Sequence, residues 1–285
     1  MARILSELLD EGASRLLAAG IENPRLAAEL FLRSILNLRR LDIHIDPRRE
    51  VGNEECASFA EMVELKVKRE PLQYIIGETE WFGLIIRCDG RALIPRPETE
   101  VVLERALELI RSTPNPRVAD IGTGTGCIAI AVAANRSDAI VYATDLSSGA
   151  LQLAEENIAL HNLSERIELR QGDLLSPLLI ESPMDLIIAN LPYVRESEWH
   201  DLMSEVRDHE PQGALVSGVD GLDAIRQLIA DTPDLLTSGG YLVIEYGIDH
   251  DAVIRGIVER ETGLKVHETI IDYNQRQRGM VIEKV

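Results

Sequence analysis

Positive charge is scarce in this chain: 29 Lys and Arg stand against 48 Asp and Glu in 285 residues, a formal net charge of −19. That balance weighs against a polyanionic partner, because proteins that grip nucleic acid display a basic surface that releases counterions from phosphates. The deficit is uneven. The first 80 residues hold 11 Lys and Arg against 15 Asp and Glu, so most of the negative charge falls later, and Arg39, Arg40, Arg48 and Arg49 form a local basic cluster. Cysteine is scarce too. Cys56, Cys88 and Cys127 are widely separated and odd in number, which argues against a disulfide framework and for reduced thiols in a cytoplasmic compartment. The six histidines are scattered without metal-ligand spacing, so no metal is expected. No apolar run is long enough to span a bilayer, and an acidic residue at Glu7 interrupts what a secretory signal would keep apolar. Neither a membrane span nor export is expected.

What is present is an ordinary globular balance, 45% hydrophobic and 27% charged, in a chain long enough for two domains. Ile4, Leu5, Leu8, Leu9, Leu16 and Leu17 recur at the spacing of one helical face, and Gly20 breaks the run. Asn23-Pro24 then predicts an N-cap followed by a proline at the first helical position, with Leu26, Ala27, Leu30 and Phe31 continuing the apolar stripe. Asn53 is expected to cap a further helix carrying Phe59, Met62, Val63 and Val67, stopped by Pro71. A small helical bundle results. From Thr79 the pattern predicts two short strands, residues 81–88 and 91–94, around a turn at Asp89-Gly90. After a helix over 101–111, apolar strands at 117–121, 139–144, 167–170, 186–189 and 241–245 alternate with helices, the signature of a doubly wound parallel sheet.

The first of these strands runs into Gly122-Thr123-Gly124-Thr125-Gly126, where the missing Cβ atoms let the backbone turn tightly and approach a ligand. The next strand ends at Asp145, whose carboxylate can accept both hydrogen bonds of a ribose diol. The alternative is that the glycines serve only a turn and Asp145 caps the helix starting near Ser147. The spacing is G-x-G-x-G rather than the G-x-G-x-x-G of nicotinamide sites, and Gly172-Asp173 adds a polar position where an adenine would lie, which favours S-adenosylmethionine. Asn190-Leu191-Pro192-Tyr193 follows the end of the fourth strand and should face that cofactor, since ligands of open α/β sheets bind beyond the carboxyl ends of the strands. An amide or exocyclic amine nitrogen attacks a sulfonium methyl poorly because its lone pair is delocalised. The Asn190 oxygen can take one N–H and the carbonyl of Leu191 the other, Pro192 biases residue 191 toward extended backbone, and Tyr193 can pack on a planar acceptor. Asn and Pro are also common in plain turns.

The chain resembles the protein glutamine N5-methyltransferases of peptide chain release factors, the PrmC or HemK family. The resemblance rests on Pro71-Leu-Gln-Tyr-Ile-Ile-Gly77, Leu93-Ile-Pro95-Arg96-Pro97-Glu98-Thr99-Glu100, His209-Glu-Pro211, Gly218-Val-Asp-Gly-Leu222 and Gly239-Gly-Tyr-Leu-Val-Ile-Glu245 as well as on the two motifs above. It implies a class I S-adenosylmethionine-dependent methyltransferase, Rossmann-like, with a seven-stranded mostly parallel sheet and a small N-terminal helical bundle joined by a β-hairpin linker. The expected divisions are 1–78 for recognition, 79–95 for the linker and 96–285 for catalysis. The implied substrate is the glutamine of the Gly-Gly-Gln motif in class 1 peptide chain release factors, taken up by a cytoplasmic monomer with no direct nucleic-acid partner. Gly122 to Gly126, Asp145, Asp173, Leu174, Asn190 and Arg96 would contact the cofactor, and Asn190 to Tyr193 would hold the glutamine amide. The chain departs from the family at Leu191, where Pro is usual, at Leu174, often aromatic, and at Tyr246, usually Ile. Asn-Leu-Pro-Tyr is also similar to the motif of ribosomal RNA adenine N6-methyltransferases, and a third reading is a non-catalytic cofactor-binding module docking on a translation factor.

Overall fold

The computed structural model describes residues 3–285. The chain divides into two units, one formed by the chain as far as Glu78 together with Met203–His209, the other by Thr79–Leu202 and Glu210–Val285.

The first unit contains β1 (Arg3–Ile4), α1 (Leu5–Ala18), α2 (Pro24–Leu36), α3 (Asp42–Ile45), β2 (Glu50–Val51), α4 (Asn53–Val67) and α5 (Leu72–Ile76), with β1 and β2 paired antiparallel. Leu5, Leu8 and Leu16 on α1, Phe31 and Leu32 on α2, and Phe59 and Val63 on α4 close one apolar core. The fit is tight at Gly12: a Cβ there would sit 2.4 Å from the Phe59 ring, so the phenyl group occupies space that only glycine leaves. The caps differ from expectation. Pro24 does open α2, but Asn23 adopts left-handed backbone (φ 50°) and its side chain makes no capping bond. Asn53 is the first helical residue of α4, with Gly52 at the cap. Pro71 does not stop α4, which has already ended at Val67; it leads into α5, where its fixed φ suits helix entry.

The second unit opens with a hairpin, β3 (Glu78–Trp81) and β4 (Leu84–Arg87). Its turn is Phe82-Gly83, with φ of 51° and 73°, the double left-handed backbone that a two-residue hairpin turn needs. The expected turn at Asp89-Gly90 is therefore displaced, and residues 91–94 form no strand. The reason is local: Asp89 accepts bonds from the backbone N–H and the guanidinium of Arg91, which competes with strand pairing.

There follow α6 (Pro97–Leu109), β5 (Arg117–Ile121), α7 (Cys127–Asn135), β6 (Ile140–Asp145), α8 (Ser148–Leu160), β7 (Ile167–Gln171), β8 (Met184–Ala189), α9 (Ser204–Arg207), α10 (Asp223–Leu235), β9 (Leu236–Glu245), α11 (Asp251–Val258), β10 (Leu264–Ile271) and β11 (Gln277–Lys284). The seven-stranded sheet has the order β10-β11-β9-β8-β5-β6-β7. The links β9-β8-β5-β6-β7 are parallel and only β11 runs against its neighbours. Buried on both faces, the central strands read as near-continuous apolar runs, and α7 is apolar all round. The strand order reverses beside β5, so the ends of β5, β6 and β8 open a crevice at one edge of the sheet. Helix α9 belongs to the first unit, where Glu205 lies 3.7 Å from Lys66 Nζ and 3.4 Å from Arg69 Nη1.

Tyr246 is fully buried at the end of β9. Its hydroxyl donates to Asp251 Oδ1 at 2.6 Å and lies 3.0 Å from the Gly279 carbonyl, and Thr269 donates to the same Asp251 oxygen. The tyrosine thus ties β9, α11, β10 and β11 together. Tyr246→Phe keeps the ring and removes the donor, so urea unfolding is expected to show a loss of about 1–2 kcal/mol.

Candidate active site

The glycine loop is held from below and from the side. Gly122, Gly124 and Gly126 all have positive φ, and the N–H groups of Gly122 and Thr123 both donate to the Thr144 carbonyl at 2.9 Å. Asp120, wholly buried beneath the loop, accepts from Thr123 Oγ1 at 2.6 Å and from the Ala129 N–H at 3.1 Å. Burial pushes its carboxyl up to about 7, against those two bonds and with Asp145 adding to the rise. Asp145 itself accepts from Gly124 N and from Ser147 N, each at 2.9 Å. The helix cap belongs to Ser147, whose hydroxyl accepts from Ala150 N. Asn157 on α8 joins the loop to the hairpin: its amide donates to the carbonyls of Thr125 and Arg87 and accepts the Arg87 N–H.

Beyond these strand ends lies a cavity of about 580 Å³, within the usual range for a small-molecule site. Gly122, Thr123, Gly124, Thr125, Asp145 and Asp173 form part of its wall, and Leu174, Arg96, Asn190, Leu191 and Pro192 another part. Gly126 and Tyr193 stand outside that wall. Gly126 instead lets α7 approach α8, where a Cβ would meet Ala154 Cβ at 3.1 Å and Cα at 3.3 Å. Tyr193 follows the wall as a half-buried ring against the core, its phenol pushed up to about 12 by burial. The Leu191 side chain is buried, with Cδ2 only 3.0 Å from where a Gly122 Cβ would be, so the two motifs are in direct contact. Leu174 holds left-handed backbone (φ 45°), fixed by a bond from Thr144 Oγ1 to its carbonyl, and contributes an apolar surface to the cavity.

Arg96 lines the cavity yet is not a free cation. Its Nη2 meets Glu210 Oε1 at 2.6 Å, while Glu210 Oε2 accepts the Ile94 N–H at 3.2 Å and the Arg96 carbonyl accepts Trp81 Nε1 at 2.9 Å. Glu210 is buried, so it clasps residues 94–96 along one side of the cavity. Glu210→Ala strips a charged acceptor from two donors, and cofactor affinity by calorimetry is expected to fall about tenfold. Unaltered affinity would show that this wall holds its shape without the clasp.

Asn190 Nδ2 donates to Thr99 Oγ1 at 3.0 Å, and Thr99 donates to Glu245 Oε2 at 2.6 Å. Among the described residues neither Asn190 Oδ1 nor the Leu191 carbonyl takes a hydrogen bond. Thr99 and Glu245 are buried, and burial pushes the Glu245 carboxyl up to about 7. Asp120, Thr99, Glu245, Glu210 and Asn157 were not singled out from the sequence as site residues. Thr99, Glu210 and Glu245 lie inside stretches that carry the resemblance, but the role of each of the five comes from burial and from partners up to 146 positions away.

Sheet order, helices on both faces and a cavity beyond the parallel strand ends define the class I S-adenosylmethionine-dependent methyltransferase fold. The same fold occurs in the hMettl16 catalytic domain in complex with MAT2A 3'UTR hairpin 6, with TM-score 0.57 and 17% identity over 83% of this chain and 84% of that one. The PrmC N-terminal domain family matches residues 7–77 and the methyltransferase small domain family matches residues 104–217. Curated relatives include the release factor glutamine methyltransferase of Nitratidesulfovibrio vulgaris, 42% identical over 85% of this chain and 82% of its own. That of Chlorobaculum tepidum is 38% identical over 91% and 90%, and that of Moorella thermoacetica 36% identical over 96% of each. The chain belongs to the release factor glutamine methyltransferase family, and it is an enzyme of the methyltransferase class. No helix among the described residues is long and apolar enough to cross a membrane.

Proposed function

We propose that this enzyme transfers a methyl group from S-adenosylmethionine to the side-chain amide nitrogen, N5, of the glutamine in the Gly-Gly-Gln motif of class 1 peptide chain release factors, and so tunes translation termination. The observation that carries the reading is the pair of unused acceptors at the cavity wall, Asn190 Oδ1 and the Leu191 carbonyl. A primary amide presents two N–H groups, and two acceptors on consecutive residues can complement it. The residues around the cavity fit the donor: glycines let backbone approach a ligand, Asp145 keeps lone pairs for a ribose diol after its two internal bonds, and Leu174 offers an apolar face to an adenine.

When bound, the cofactor would supply an electrophilic methyl on a sulfonium and leave as the thioether S-adenosylhomocysteine, with one amide proton released as the N–C bond forms. The chain's own part is to bind and orient the nitrogen. Asn190 and the Leu191 carbonyl hold both N–H bonds, which fixes the direction of the nitrogen lone pair and favours charge that develops there. Tyr193, next in the chain after Pro192 and just outside the cavity wall, would have to turn toward the cavity to pack on the amide plane; it is a neutral phenol, and burial raises it further above the neutral range. Asp145, Asp173, Leu174, Arg96 and residues 122–126 form the cofactor side, Gly126 through packing.

On this reading residues 1–78 recognise the protein substrate, 79–95 link, and 96–285 catalyse, in a cytoplasmic monomer that does not itself bind nucleic acid. The wide separation and odd number of Cys56, Cys88 and Cys127 and the charge of −19 are in keeping with that. The curated relatives support the glutamine reading over the RNA adenine and non-catalytic alternatives. The test combines labelled S-adenosylmethionine with unmodified release factor, its loop Gln→Ala variant and unmodified ribosomal RNA in parallel. Label on the intact release factor alone is expected. Label on RNA, or none despite cofactor binding, would replace the reading.

A further inference from the structure

A side-chain amide is nearly symmetric in shape but opposite in its two ends, one accepting and one donating. For Asn190 to accept an N–H from an acceptor amide, Oδ1 must face the cavity and something must hold Nδ2. Thr99 Oγ1 lies 3.0 Å from Nδ2, but a hydroxyl has one proton and can favour either end of the amide. That proton goes to Glu245 Oε2, 2.6 Å away. An ionised carboxylate offers only lone pairs, so it takes the Thr99 proton and leaves Oγ1 able only to accept. The three residues come from separate elements. β8 and β9 are parallel neighbours with Ala189 opposite Ile244, so the next pair outward is Asn190 and Glu245, and Thr99 is in the first turn of α6.

We propose that Thr99 and Glu245 are positioning residues that set which end of the Asn190 amide faces the acceptor, and that the charge on Glu245 selects it. The inference rests on the acceptor reading above. With Glu245 protonated the chain of bonds reverses: the carboxyl donates to Thr99 Oγ1, Thr99 donates to Asn190 Oδ1 once the amide has turned over, and an NH2 group faces the cavity. That orientation cannot accept an N–H.

Burial pushes the Glu245 carboxyl up, while the Thr99 bond, Arg278 from β11 and Arg96 favour its ionised form and Glu98 of α6 opposes it. Tyr193 faces the same carboxyl as a neutral phenol, and Asn190 reaches it only through Thr99. Because the protonated state is the misoriented one, turnover is expected to rise with pH through about 7, the value to which the carboxyl is raised. Asp120 titrates in the same range, so a Glu245 variant is needed to separate the two.

The test compares wild type, Glu245→Gln, Thr99→Val and Thr99→Ser by turnover on unmodified release factor from about pH 6 to 9 and by the side-chain amide resonance of Asn190 in protein isotope-labelled at asparagine. The resonance is assigned by its loss in Asn190→Asp. Cofactor affinity, measured in parallel, reports folding. The proposal expects Thr99→Val to lower kcat by about tenfold or more with cofactor affinity kept, Thr99→Ser to restore it, and Glu245→Gln to abolish the rise near neutrality. It also expects the Asn190 resonance to titrate in wild type and not in Glu245→Gln. Wild-type turnover in Thr99→Val, or an Asn190 resonance that ignores pH or titrates equally without Glu245, overturns it. A release factor left unlabelled by wild type overturns the acceptor reading instead, and the resonance then decides the relay alone.

Discussion

Asn190→Ala is expected to lower methyl transfer to release factor by at least about a hundredfold, the scale set by removing one preorganised group that acts on developing charge. Cofactor affinity should stay within about threefold, because the interaction lost serves the acceptor more than the donor. The physical argument is that a planar amide nitrogen reacts only when held in one direction, and Asn190 Oδ1 is one of two free acceptors able to hold it. The Leu191 carbonyl alone leaves the amide free to rotate about a single bond. Single-turnover kinetics on saturating cofactor, with calorimetry in parallel, measure both quantities. Turnover near wild type would remove Asn190 from the acceptor side; a matching loss of cofactor affinity would move it to the donor side.

Gly126→Ala is the second large effect, and it falls on stability. A left-handed backbone costs an alanine about 1–2 kcal/mol. The new methyl also meets Ala154 Cβ at 3.1 Å and, less avoidably, its Cα at 3.3 Å, so α7 and α8 must part. Overpacking of this kind adds a similar amount, and a total loss of about 2–4 kcal/mol is expected in urea unfolding. Gly124→Ala is the matched control, since its Cβ would find nothing nearer than Ala92 at 3.8 Å and bears the backbone strain alone. Equal losses in the two variants would show that strain, and not the approach of α8, makes Gly126 necessary. Gly124→Ala should weaken the cofactor more, because Gly124 lines the cavity and Gly126 does not.

The elements most legible in the sequence were those fixed by local periodicity and by short motifs. The apolar strands ending at Ile121, Asp145 and Ala189 lie within a residue or two of their expected limits, because a strand buried on both faces must be apolar along its whole length. The hairpin was misplaced. Asp-Gly is the stronger turn signal by composition, and Phe82 in left-handed backbone is not one that propensity suggests. The start of β9 at Leu236 and the strands β10 and β11 lie outside what the apolar pattern predicts, and the seven-stranded sheet is implied by the resemblance. β10 is the edge strand and slips register twice against β11, which breaks a simple alternation in its residues.

At the site, the glycine loop, Asp145 and the Asn190-Leu191-Pro192-Tyr193 run are legible from residue order, because each is contiguous and its chemistry is carried by residue type. Folding alone decided what holds them. Glu210 across from Arg96, and the line from Asn190 through Thr99 to Glu245, join residues far apart in the chain, while Asp120 bonds to near neighbours and owes its place to complete burial beneath the loop. A carboxylate on a sequence is a solvated charge until burial removes its water. Only tertiary structure sets that burial, and with it which bonds these groups must make.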